Sequence, residues 1–355
     1  MEKIKIELST NLKPKPQDES KLAFGKIFTD HMFLMDYSDK KGWFDPRIVP
    51  YAPISINPAA SGLHYGQLIF EGLKAYRSKT GEIVMFRPEK NMKRLNASNE
   101  RLCMPTVDVD FMVGALKELI RIEKDWVPAA QGTSLYIRPF IIATEPFLGV
   151  KPSGDYMFIV ILSPVGSYYP NGIQPVGIYV ENEYVRAIRG GVGHAKCAGN
   201  YAASMKSQIK AAEKGFAQVL WLDGVERKYI EEVGAMNIFF AFEDEIVTPE
   251  LSGSILPGIT RASILDLLKS WGMPVSERRI SIDEIIEAYD GGKLKEVFGT
   301  GTAAVISPVG ELTHGDKKMV INNGEIGKLS KKLYDEITGI QKLEREDKFG
   351  WITRV

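Results

Sequence analysis

At 355 residues the chain is too long for one ordinary hydrophobic core, which points to two domains. Apolar residues make up 44% and charged residues 25%, a balance that buries a large core and excludes an extended, disordered chain. Lys plus Arg and Asp plus Glu number 45 each, so no net charge draws the chain to nucleic acid, an anionic membrane or another polyanion.

The early residues, up to about 30, read as an irregular arm with Pro14 and Pro16. Residues 1–15 are polar with no apolar h-region, so no signal peptide is expected. A strand is predicted over 28–36, then an irregular Pro/Gly/Asn-rich stretch over 42–62. Residues 72–77 and 82–86 read as strands paired across Ser78-Lys79-Thr80-Gly81. Helices are predicted over 88–99 and 109–124. In the second, Phe111, Met112, Ala115, Leu116, Leu119 and Ile120 recur at helical spacing. Strands follow at 134–142 and 156–162, and the apolar run 157–162 is far short of the ~20 residues needed to span a bilayer.

Two prolines, two glycines and the pair Tyr168-Tyr169 then suggest an interdomain linker. Beyond it come a strand at 176–181, a glycine-rich segment ending at Lys196 and a helix over 201–215. A hairpin turning at Asp223-Gly224 follows, then a strand at 237–242 and helices over 260–271, 282–289 and 326–343. The expected division is 1–166 as a smaller α/β domain, 167–184 as linker and 185–355 as a larger domain.

Four segments could carry chemistry, and each alone has an ordinary structural reading. Lys196 follows Gly190, Gly191 and Gly193, which let backbone approach a ligand, yet it could be a loop lysine. Leu256-Pro257-Gly258-Ile259-Thr260 opens an amphipathic helix whose free amides suit an anion, as many helix starts do. Gly299-Thr300-Gly301-Thr302-Ala303-Ala304 resembles a dinucleotide fingerprint but runs into strand-like Val305-Ile306-Ser307-Pro308, so it reads as a hydroxyl- and amide-rich turn. Glu232 precedes Val233-Gly234 and an apolar strand, where it could meet a protonated ring nitrogen or mark a hairpin edge. No two of His31, His64, His194 and His314 have metal-ligand spacing, so no metal is expected. Only Cys103 and Cys197 occur, which fits a reducing, cytoplasmic compartment rather than a disulfide framework.

Taken in order, these segments resemble branched-chain amino acid aminotransferases of fold type IV, the longer-chain branch. The resemblance runs from about residue 28 to the C-terminus and rests on several motifs. They are Gly190-Gly191-Val192-Gly193-His194-Ala195-Lys196-Cys197-Ala198-Gly199-Asn200-Tyr201, Phe70-Glu71-Gly72-Leu73-Lys74-Ala75-Tyr76, Asn91-Met92-Lys93-Arg94 and Leu135-Tyr136-Ile137-Arg138-Pro139. Glu145-Pro146-Phe147-Leu148-Gly149-Val150, Ser163-Pro164-Val165-Gly166, Glu232-Val233-Gly234-Ala235-Met236-Asn237, Ile255-Leu256-Pro257-Gly258-Ile259-Thr260-Arg261 and Phe298-Gly299-Thr300-Gly301-Thr302-Ala303 complete the set.

The resemblance implies a two-domain α+β, α/β fold, with an N-terminal α/β domain and a C-terminal pseudo-barrel. It implies pyridoxal 5'-phosphate carried by Lys196 as a Schiff base and amino transfer from L-leucine, L-isoleucine and L-valine to 2-oxoglutarate. Arg94, the amides of Ile259 and Thr260, and the hydroxyls of Thr260 and Thr302 would hold the phosphate. Glu232 would pair with the pyridine nitrogen and Tyr201 with the ring oxygen. Phe70, Tyr136 and Tyr168 would wall the branched side chain. Tyr65 and the amides of Thr302 and Ala303 would take the substrate carboxylate, and Arg138 the distal carboxylate of glutamate. Leu148 and Val150 would reach a neighbouring subunit's site, which implies a homodimer.

Ala304 and Ser307 replace a Cys-x-x-Cys pair found in some relatives, so no thiol switch is expected there, and Ala235 replaces a frequent threonine. A D-amino-acid aminotransferase or an aminodeoxychorismate lyase of the same fold, a cofactor-free Schiff-base aldolase and a non-catalytic binding protein are the competing readings.

Overall fold

The structure is a computed structural model and describes residues 2–167 and 172–355. Tyr168, expected to line the substrate pocket, lies outside the described residues.

Contacts divide the described chain into two compact units. The first takes the chain up to residue 167 together with Ala195–Ala198 and Gly339–Val355; the second takes residues from 172 to His194 and Gly199–Thr338. In chain order the first unit supplies β1 (Lys5–Ile6), β2 (His31–Ser38), β3 (Gly42–Pro50), α1 (Ser61–Tyr65), β4 (Leu68–Phe70), β5 (Leu73–Arg77) and β6 (Ile83–Phe86). It continues with α2 (Pro88–Arg101), α3 (Val109–Ile122), β7 (Ser134–Ala143) and β8 (Asp155–Val165). Next come β9 (Val176–Val180), α4 (Ala198–Glu213), β10 (Gln218–Leu222), β11 (Ile230–Val233), β12 (Asn237–Phe242), β13 (Ile246–Thr248), α5 (Ile259–Ser270) and β14 (Val275–Glu277). The chain closes with α6 (Ile282–Asp290), β15 (Leu294–Gly301), β16 (Val305–His314), β17 (Lys317–Val320), α7 (Lys328–Gln341) and β18 (Ile352–Arg354).

The sheet of the first unit runs β1-β3-β2-β8-β7-β5-β6-β18, with β4 also paired to β7. β18 returns from the end of the chain to pair antiparallel with β6, and Trp351 packs edge-on to Phe86 with ring centroids 5.5 Å apart. Helix α3 forms because Asp108 caps it by accepting the Phe111 N–H, and because Met112, Ala115, Leu116, Leu119 and Ile120 fall on one buried stripe. Each of the larger of these side chains contributes about 1.5–3 kcal/mol on burial. The alternation along β7 buries Leu135, Ile137 and Ile141 and turns Tyr136 and Arg138 to the other face.

The second unit's sheet runs β11-β10-β9-β16-β15-β12-β13-β14, with β17 on β16. Its core gathers Ile178, Leu220, Ile238, Phe240, Val297 and Leu312 among others, and Phe239 stacks on Phe298 at 5.3 Å. No described helix is long and apolar enough to cross a membrane.

The strand predicted over 176–181 is present as β9, between β10 and β16. The structure differs from the sequence reading in two places. Residues 42–50, expected to be irregular, form β3, because a bulge opposite Leu34–Asp36, with Asp45 at φ 52°, lets Pro46 sit where the ladder is interrupted. The return strand after Asp223-Gly224 begins only at Ile230. The Asp223 carboxylate accepts the N–H groups of Val225, Glu226, Lys228 and Tyr229 and so stabilises a loop where a tight turn was expected.

Candidate active site

In the first unit the expected cofactor lysine is built against the sheet. The Lys196 backbone N–H donates to the Ser98 hydroxyl at 2.9 Å, its carbonyl accepts the Phe70 N–H at 3.0 Å, and Cys197 bridges to Ile69. The residues next to Lys196 are thus held at the end of β4 and against α2. Its Nζ stands 4.9 Å from the centre of the Phe70 ring. Burial first, and the Arg94 charge second, bring the Lys196 pKa down to about 8, against the raising effect of Glu71 and Tyr136.

Phe70 and Tyr136 lie on one face with Arg138, whose guanidinium carbon is 4.8 Å from the Phe70 ring centre and 5.2 Å from that of Tyr136. Arg138 Nη2 also donates to the Tyr136 hydroxyl at 3.2 Å. Gly72 is required here by close approach: a Cβ at that position would come within 2.0 Å of the Tyr136 hydroxyl.

Beneath the lysine lies a buried acid that the sequence reading gave no role. Glu71 is fully buried and accepts Arg94 Nε at 2.7 Å, Arg94 Nη2 at 2.8 Å and Asn91 Nδ2 at 2.8 Å. Burial alone would raise its pKa; the charge and hydrogen bonds of Arg94 outweigh that, with help from Lys196 and Asn91, and hold it below the usual carboxylate value. One edge of the guanidinium expected to meet a phosphate is therefore bonded to Glu71. No spacing rule finds this contact, because residue 71 lies between β4 and β5 and residue 94 on α2. Lys74 was also missed: it is buried, stands opposite Tyr136 across β5 and β7, and burial lowers its pKa to about 8.

Other expected residues fall elsewhere in this unit. The Tyr65 hydroxyl donates to the Leu148 carbonyl, and Tyr65, Leu148 and Val150 are all exposed.

The second unit assembles the other expected groups. Glu232 is buried on β11, accepts the Leu256 N–H at 2.7 Å and pairs with Arg186 Nε at 3.3 Å. Asn237 donates to the Leu256 carbonyl at 2.9 Å, and its side-chain oxygen lies 1.9 Å from where a Cβ on Gly258 would stand. Gly258 therefore admits only a bare backbone at the start of α5. That helix has no side-chain cap, so the amides around Ile259 and Thr260 are left to other acceptors. Asn237 faces Thr300 across β12 and β15, and the Thr300 hydroxyl is buried with no hydrogen-bond partner among the described residues. Thr302 and Ala303 form the turn between β15 and β16, as expected in place of a dinucleotide loop, and Val305 leaves it at φ 62°, a strained value for a β-branched residue. Tyr201 is in the first turns of α4.

A desolvated amine beside a guanidinium is a nucleophile for carbonyl carbon. A buried carboxylate, an uncapped helix start and an unpartnered threonine hydroxyl suit a ring nitrogen and a phosphate. Each unit's donor set thus suits a different part of pyridoxal 5'-phosphate, the cofactor of a lysine-centred enzyme.

The comparisons agree. The family model of class IV amino-transferases matches residues 68–312. Branched-chain-amino-acid aminotransferase 2 of Bacillus subtilis (strain 168) is 63% identical over 352 residues, covering 99% of this chain and 97% of that protein. The crystal structure of the Escherichia coli branched-chain amino acid aminotransferase is 28% identical, with a TM-score of 0.74, and covers 91% of this chain and 98% of that one. The fold is also that of the branched-chain amino acid aminotransferase from Thermobaculum terrenum in its PLP-form, which is 22% identical with a TM-score of 0.74, covering 92% of this chain and 98% of that one. The chain belongs to the class IV amino-transferases and, within them, to the branched-chain amino acid aminotransferases.

Proposed function

We propose that the chain transfers the amino group of L-leucine, L-isoleucine and L-valine to 2-oxoglutarate, giving branched-chain 2-oxo acids and L-glutamate, with pyridoxal 5'-phosphate bound to Lys196. The observation that carries this reading is the Lys196 amine, lowered to about 8 and poised over Phe70 beside the Glu71–Arg94 pair. When bound, the cofactor supplies an electron sink for charge developing at the substrate Cα and a carbon that carries the amino group between the two acids.

The chain's own residues do the rest. Lys196 Nζ holds the cofactor, and once displaced it takes the proton from the substrate Cα and returns it. Its lowered pKa keeps a useful fraction of the amine neutral near pH 7. Arg94, Ile259, Thr260 and Thr302 bind the phosphate, Glu232 orients to the ring nitrogen and Tyr201 to the ring oxygen. The aromatic faces of Phe70 and Tyr136 exclude water and pack the aliphatic side chain. Tyr65, Thr302 and Ala303 hold the carboxylate of the substrate, and Arg138 the distal carboxylate of glutamate. A pocket of this kind discriminates one methylene by only about 1–3 kcal/mol, so all three branched substrates are accepted. The enzyme acts as a homodimer in the cytoplasm, with Leu148 and Val150 presented to the partner; their exposure, and the free state of Cys103 and Cys197, support this.

The visible absorption of purified protein, recorded before and after L-leucine without an acceptor, tests the reading. The cofactor band is expected to bleach with L-leucine and recover with 2-oxoglutarate. A band that responds only to D-alanine, or no band after cofactor is supplied, refutes it. Glu232→Gln is expected to keep the cofactor and lose about 10²–10³-fold in kcat, since the carboxylate charge facing the ring nitrogen is removed. Full turnover in that variant would remove Glu232 from the site.

A further inference from the structure

The second unit holds a cavity of about 170 Å³ that none of the residues assigned above lines. One wall is the loop that follows Asp223, the other is the segment around Pro249, Ser252 and Ser254, and Glu231 lines it from β11. Glu231 is only 5% exposed. Its Oε1 accepts the Ser254 hydroxyl, while Oε2 is buried with no hydrogen-bond partner among the described residues. A buried carboxylate oxygen left unmatched is costly, and it calls for a donor supplied from outside the chain.

The nearby charges do not supply one. Arg186 gives its Nη2 to the Ser254 carbonyl, and its Nε stands 3.3 Å from Glu232 in an ion pair without a hydrogen bond to any described residue, Glu231 included. Arg279 is paired with Glu226 at 2.8 Å and lies over the Tyr229 ring. Asp223 is occupied by loop amides, and Glu250 and Arg189 are exposed at the rim. No described cluster of His, Cys, Asp and Glu could hold a metal ion, which leaves cations that need few ligands. A primary ammonium brings three donors, enough for Glu231 Oε2 and a serine hydroxyl together. The volume is below the ~300 Å³ typical of drug-sized sites, and Val225, Pro249 and Ile255 give it an apolar lining suited to a short alkyl chain.

We propose that this cavity is a second small-molecule site, which takes a small aliphatic primary amine with its ammonium group on Glu231. Arg189 at the rim admits an amino acid whose carboxylate points outward as well as a plain alkylamine. Burial, with Glu232 and Asp223 adding to it and Ser254 and Arg186 opposing, raises the Glu231 pKa to about 7. The ammonium binds the ionised carboxyl, so affinity is expected to fall about tenfold for each pH unit below that value.

Calorimetric titration of the cofactor-loaded enzyme with n-butylammonium chloride tests the site. At about pH 8 one saturable event is expected, and at about pH 6 binding weakens about tenfold and releases a proton, measured with buffers of different ionisation enthalpy. Glu231→Gln should lose the event and its proton release. Val225→Trp, at a 73% exposed position on the cavity wall, should block it by filling the space. Tighter binding of 5-aminopentanoate than of n-butylammonium identifies an amino acid as the ligand, equal binding identifies a plain amine, and either supports the site. No saturable event at about pH 8, binding that survives both substitutions, or equal binding of butanoate overturns the proposal.

Discussion

Lys196→Ala is expected to lower kcat/KM with L-leucine by at least about 10⁴-fold, the upper end for loss of one acid–base group, because the same amine also anchors the cofactor. The loss is chemical and not structural. The Lys196 pKa of about 8 lies below the ordinary 10.5, so the folded state disfavours its charge. That penalty is fully present below pH 8, fades as pH rises, and vanishes above 10.5, where the amine is neutral in both states. At neutral pH it is on the order of 3 kcal/mol, and removing the amine offsets the packing lost with its stem. With the cofactor removed from both proteins, the thermal midpoint of Lys196→Ala at pH 7 should therefore match or exceed that of the unsubstituted protein. A variant that unfolds several degrees earlier, or that keeps turnover, would contradict the role given to this residue.

Glu71→Ala should be the most damaging change in the first unit. It leaves the Arg94 guanidinium, 9% exposed, without the carboxylate that takes two of its N–H groups. Breaking a buried pair from one side costs about 3–5 kcal/mol. The Lys196 pKa should fall further, since Glu71 is one of the charges that raise it. The effect has a defined pH window. The Glu71 pKa is held below its ordinary 4.5, so its contribution is complete above that value and is lost as pH falls through the folded-state value. Denaturant unfolding at pH 7 and at successively lower pH measures both: the gap between Glu71→Ala and the parent should be large at pH 7 and narrow progressively as pH falls below 4.5. Equal stability at pH 7 would show that Arg94 finds another partner.

Much of the architecture was legible in the chain. The stripe of α3, the alternation of β7 and the apolar runs of β12 and β16 repeat at the period of the element they form, so local pattern and final structure agree. Boundaries drifted where a special backbone intervened, as at Pro46 in β3 and at the Asp223 loop. The site was legible only as ordered motifs. Lys196, Glu232 and the Leu256–Thr260 segment were each ambiguous alone, and order along the chain raised them above chance.

The sequence by itself determined the family and the periodic elements and singled out Lys196 as the candidate for the cofactor, because these depend on residue identity and short spacing. The tertiary structure alone decided which charges meet. Glu71 under Lys196, Arg186 against Glu232 and the unmatched oxygen of Glu231 join residues from separate elements, and their pKa values follow from burial that no local pattern encodes. Desolvation and charge pairing act through space, so the electrostatics of this enzyme came into being only when the strands were packed.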